Sequence, residues 1–131
     1  MNIGEVASRA GVPAKTIRYY ESVGLIPAAA RRDNGYRSYS DTDLHTLRFI
    51  YRARELGFSV AEVEDLLALW RNKRRRSQAV KAIALAKIAE IERKIAALET
   101  MKRSIRHLTA HCHGDARPDC PILDDLAGDR T

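Results

Sequence analysis

Cysteine is scarce in this chain: 131 residues contain two, Cys112 and Cys120. That excludes a small secreted scaffold stapled by disulfides. No run of about 18 apolar residues occurs, so no transmembrane helix is expected. The start, Met1-Asn2-Ile3-Gly4-Glu5, lacks a basic region followed by an apolar stretch, so no signal peptide is expected either. A nucleophile motif, a glycine-rich phosphate loop and a paired-carboxylate pattern are all missing. The expectation is a non-enzymatic, cytoplasmic protein with reduced thiols and no membrane partner.

What the chain does have is positive charge, unevenly placed. Net charge is +6 and the pI is near 9.6, which favours polyanionic partners through counterion release. Residues 1–76 carry 14 Lys/Arg against 9 Asp/Glu, and 77–109 carry 7 against 3. From 110 onward there are 2 against 5, so both cysteines sit in the acidic end.

Asn2 followed by Glu5 predicts a capping box at the start of a first helix, with Ile3, Val6, Ala7 and Ala10 on one face. Gly11-Val12-Pro13 breaks it, and Pro13 is placed to open a second helix running to about Val23. At 100° per residue, Ala14, Ile17 and Tyr20 point one way, while Lys15, Arg18, Tyr19 and Ser22 point the other. Two short helices around a glycine turn read as a helix-turn-helix, the second showing Lys, Arg and Tyr to the major groove.

Next comes Arg31-Arg32-Asp33-Asn34-Gly35-Tyr36-Arg37. Asn-Gly is a strong hairpin signal, because a type I′ turn needs positive φ at both central residues. Flanked by Arg31, Arg32 and Arg37, with Tyr36 beside it, the hairpin reads as a basic wing that clamps phosphates. Ser40 with Asp43 starts a third helix, with Leu44, Leu47 and Tyr51 on one face, ending at Gly57. Ser59 with Glu62 caps a fourth, with Val60, Val63, Leu66, Leu67 and Trp70 facing inward. Lys73-Arg74-Arg75-Arg76 reads as a solvated linker.

From Ser77 to Thr109 there is no Gly or Pro. Ala84, Ile88, Ile91, Ile95, Leu98, Lys102 and Ile105 follow alternating steps of four and three, the a/d seam of a coiled coil. A helix of that length, about 45 Å at 1.5 Å per residue, cannot bury its stripe on a small head. A second copy is the natural partner, and an antiparallel homodimer would set two reading heads against a palindromic stretch of double-stranded promoter DNA. Lys102 in the seam would help to fix register.

The two thiols are soft ligands, suited to Cu(I) and its heavier relatives Ag(I) and Au(I), and also to zinc. Zinc takes four ligands, whereas two cysteines alone suit a two-coordinate monovalent ion. His111 and His113 leave a four-ligand zinc site open as an alternative, and a Cys112–Cys120 disulfide leaves a redox switch open. A copper carrier without a DNA role is the alternative of another class, and the basic head argues against it. His45 and His107 read as surface helix residues.

Ile3-Gly4-Glu5-Val6-Ala7, Thr16-Ile17-Arg18-Tyr19-Tyr20-Glu21, Gly24-Leu25-Ile26 and Asn34-Gly35-Tyr36-Arg37 together resemble the MerR family. Cys112, the spacing to Cys120 and the following Pro121-Ile122-Leu123 resemble its copper-efflux (CueR and HmrR type) branch. The resemblance implies a mainly α fold: a winged helix-turn-helix DNA-binding domain with a small β-hairpin wing (1–76), a long antiparallel coiled-coil dimerisation helix (77–109), and a metal-binding loop and tail (110–131). It implies a homodimer that distorts a promoter with an over-long spacer when metal binds, so that RNA polymerase is served indirectly through the DNA. It carries DNA contact to Arg18, Tyr20, Tyr36 and Arg37, beside Lys15, Tyr19 and Arg31 from the residues themselves. Where divalent-metal members supply another cysteine this chain has Ser77, which would cap the long helix and shape the pocket without binding metal. On this reading the helix N-terminus would offset the negative charge of a bis-thiolate site.

Overall fold

The computed structural model describes residues 1–27, 30–31, 37–112 and 114–128. They form two compact units, Met1–Ala84 and Leu85–Thr131. Among the described residues no helix is long and apolar enough to cross a membrane.

In the first unit, α1 spans Ile3–Ala10 and α2 spans Ala14–Ser22. Asn2 caps α1 by accepting the Glu5 N–H at 2.8 Å. The expected box is not completed: among the described residues, exposed Glu5 makes no return bond to the Asn2 N–H. Gly11 closes α1 with φ 70, a left-handed cap in which its N–H and that of Val12 both bond to the Ala7 carbonyl. Val12 is buried and pins the turn between the two helices. Pro13 stands one position earlier than expected: at ψ 142 it is extended, the N-cap of α2 rather than its first helical residue.

Two-residue strands β1 (Ala30–Arg31) and β2 (Arg37–Ser38) pair antiparallel, Ala30 with Ser38 and Arg31 with Arg37. The Asn34-Gly35 turn expected between them, and Tyr36, lie outside the described residues. Tyr39, just after β2, is buried; its hydroxyl donates to the Glu21 carboxylate, and its N–H donates to the Met1 carbonyl at 2.7 Å.

Helices α3 (Asp41–Glu55) and α4 (Val60–Arg71) each begin with a complete capping box, Ser40 with Asp43 and Ser59 with Glu62. Val6, Ile17, Leu47, Ile50 and Val63 are fully enclosed, so α1, α2, α3 and α4 share one core. The inward placement expected for Trp70 is corrected: it is 41% exposed, its ring stacked on Phe49 with centroids 4.4 Å apart. Trp70 lies in the last turn of α4, beyond Leu67, where the core has ended.

Helix α5 runs unbroken from Ser77 to Ala110, 34 residues or about 50 Å. Ser77 occupies its first helical position rather than the cap before it, and the Arg76 carbonyl accepts the Ala79 N–H. In the second unit Ile88, Ile91, Ile95, Leu98 and Ile105 are all exposed on the single chain, as are Leu85 and Met101. Lys87 is buried and pairs with Glu90 at 2.6 Å, and Lys94 reaches the same carboxylate at 3.0 Å. A short helix absent from the sequence expectation, α6 (Pro121–Leu126), follows the second cysteine, with Pro121 in its first turn.

Candidate functional site

Two sets of residues could carry chemistry. The first is the outer face of α2. Ile17 and Tyr20 anchor that helix in the core at 0% and 2% exposure, which forces Lys15, Arg18 and Tyr19 outward. Tyr20 is thus the one predicted DNA-contact residue of α2 that lies beneath the surface. Burial pushes its phenol pKa above the ordinary value, with Arg54 opposing. Ser22 donates to the Tyr19 carbonyl at 2.6 Å and tightens the last turn of the helix. Arg31 and Arg37 stand opposite each other in the strand register. This face can offer cations and an aromatic ring to a polyanion, the composition of a groove reader.

Still in the first unit, Lys73, Arg75, Ser77, Val80 and Lys81 line an open depression of about 720 Å³. Arg75 donates to the Trp70 and Asn72 carbonyls, which holds the linker against the end of α4.

The second set lies in the other unit. Cys112 follows the end of α5, its N–H donating to the Thr109 carbonyl at 3.2 Å. Gly114 turns the chain at φ 65, a conformation that a side chain would strain. Asp115 then clasps Arg117 twice, accepting its backbone N–H at 2.9 Å and its Nε–H at 2.8 Å. The loop returns Cys120 to the start of α6, with the two sulfurs 4.0 Å apart. Both thiols are free and half-buried. The backbone N–H of Leu123, then that of Ile122 and the Cys112 thiol, hold the Cys120 thiol below its ordinary range, against desolvation and the Asp124 charge. Those N–H groups belong to α6, in the segment expected from sequence to be loop and tail. Its signal was Pro121, a residue favoured in the first turn of a helix.

Two thiolates at this separation suit one soft ion, since two metal–sulfur bonds of about 2.3 Å each reach across the gap. His111 turns instead toward His107, ring centroids 4.5 Å apart, and His113 lies outside the described residues. Among the described residues no three His, Cys, Asp or Glu gather into a metal-holding group.

Residues 1–69 match the model for the MerR HTH family regulatory protein, and residues 44–108 match the model described as MerR, DNA binding. The chain belongs to the MerR family. MerR proteins are transcription regulators and not enzymes, and they bind promoter DNA as dimers. The chain is 58% identical to heavy metal-dependent transcription regulator 2 of Rhizobium meliloti, over 97% of its own length and 86% of that protein. It is 42% identical to the regulator CueR of Salmonella typhimurium, over 98% and 93%. Among solved structures, the regulator PbrR691 of Ralstonia metallidurans in complex with lead(II) superposes with a TM-score of 0.83 at 32% identity, covering 96% of this chain and 98% of that one. The mainly helical MerR architecture is therefore shared along nearly the whole chain.

Proposed function

We propose that this MerR-family member is a cytoplasmic, metal-responsive activator that answers to Cu(I), and to Ag(I) and Au(I), and switches on copper-efflux or detoxification genes. The observation that carries the reading is the thiol pair: Cys112 and Cys120 are the only cysteines, and their sulfurs stand 4.0 Å apart. Soft thiolates favour soft monovalent ions. Likeness to a heavy metal-dependent regulator and to CueR supports the same class.

Cys112 and Cys120 would hold the ion, and its bound charge is the signal. A lowered Cys120 pKa favours the thiolate form that metals bind. Lys15, Arg18 and Tyr19 would face the major groove, while Arg31, Tyr36 and Arg37 would clamp phosphates as a wing. Tyr20 would fix the helix from below and reach DNA only through its hydroxyl. Ala84, Ile88, Ile91, Ile95, Leu98 and Ile105 would meet a second copy in an antiparallel seam. Ser77 opens α5 and the thiols follow its far end, so the partner subunit is the proposed source of the Ser77 that shapes the pocket. Metal binding would then distort the promoter, and RNA polymerase would engage the reshaped DNA without needing a contact to this chain.

The deciding experiment is promoter activation against buffered free metal, with X-ray absorption at the bound ion. Cu(I) or Ag(I) should induce at far lower free concentration than Zn(II), with sulfur-only two-coordinate absorption. Equal response to zinc, or four-coordinate absorption, would refute the monovalent reading.

A further inference from the structure

We infer that His107 and His111 form a second metal site, separate from the thiol pair, for a borderline divalent cation of the Zn²⁺ type. His107 lies in the last turn of α5 and His111 follows four residues later, a spacing that sets both imidazoles on one face. Their ring centroids are 4.5 Å apart with planes inclined at 74°. Both side chains are exposed, so rotation about χ2 can exchange their edge-on contact for a nitrogen of each turned toward a shared ion. Histidines one helical turn apart supply paired imidazole ligands to zinc by the same geometry.

The surroundings favour a cation. The C-terminal end of α5 presents the negative end of the helix dipole. His107 shares a depression of about 550 Å³ with Arg103, Ser104, Leu108 and Asp125, so its lining carries a carboxylate as well as a guanidinium. Ligand softness keeps the two sites apart, because imidazole suits zinc, nickel and Cu(II) while paired thiolates suit Cu(I). With no third protein donor gathered among the described residues, water would complete the coordination shell. Such a site exchanges readily and is weaker than a structural zinc centre. It sits immediately before Cys112, so an occupied pair would staple the last turn of α5 where the thiol loop begins.

The test uses the full-length Cys112→Ser/Cys120→Ser protein, which removes the thiols, so its outcome is independent of the Cu(I) reading. Zn²⁺ alone is titrated in while imidazole resonances are followed by NMR. Saturable binding should perturb His107 and His111 first. His107→Ala and His111→Ala should each weaken it roughly tenfold or more, while His45→Ala leaves it unchanged and circular dichroism confirms intact helices. Absence of saturable binding, or full affinity in both single variants, would overturn the site. Loss on His113→Ala with none on His107→Ala would overturn it equally.

Discussion

At the scale of single residues, Cys120 is a thiol whose surroundings favour its charged form. Its thiol is held below the ordinary range mainly by the Leu123 N–H, so at neutral pH the folded protein presents more thiolate there than the unfolded chain does. Iodoacetamide at pH 7 should label Cys120 faster in the native apo-protein than in urea, read by peptide mass spectrometry. The sign follows from the shift: the native protein's labelling advantage is present at neutral pH and below, and disappears as pH rises through the ordinary thiol pKa, where both states are fully thiolate. Cys112→Ser or Cys120→Ser should abolish induction and leave operator affinity within a few-fold in gel-shift titrations. A parallel collapse of DNA binding would instead make the thiols structural. On the reading face, Arg18→Ala should weaken operator binding and reduce the slope of log K against log salt by about one.

Among the elements, α2 shows most directly how a core fixes a functional face. Ile17 is fully enclosed, and Ile17→Ala should cost about 2–5 kcal/mol in urea unfolding, releasing the helix that orients Arg18. A loss below about 1 kcal/mol would mean that the site relaxes around the missing side chain. Periodicity made this face legible beforehand, since a helix short enough to have one apolar stripe has only one way to turn. The Ser40 and Ser59 boxes were equally readable, because three-residue spacing of hydroxyl and carboxylate is local chemistry. Less visible were features that depend on distant partners. The burial of Leu25, Ile26 and Phe58 arises from packing between elements. Trp70 shares the inward periodicity of α4 yet is exposed, because the helical pattern continues one turn past the point where the core stops. The thiol pair was readable as composition, whereas its 4.0 Å approach needed the Asp115–Arg117 clasp and α6 to bring it about.

On the scale of the whole molecule, the exposed stripe of α5 is the proposed seam for a second copy. Ile88, Ile91, Ile95, Leu98 and Ile105 are 39–60% exposed on the single chain, apolar side chains at heptad spacing that a second copy would cover. Ile91→Glu with Ile95→Glu should convert the protein to a monomer in sedimentation velocity, with loss of operator binding at concentrations where the parent protein is saturated. A persistent dimer would place the interface elsewhere. The first unit, meanwhile, carries its own optical instrument. Trp70 is the sole tryptophan, stacked on Phe49 across the α3–α4 contact with one face open to water. Excitation at the red edge of protein absorption therefore selects a single chromophore in the N-terminal half. Its emission colour and anisotropy can follow that half during titrations with DNA or metal, without any attached dye.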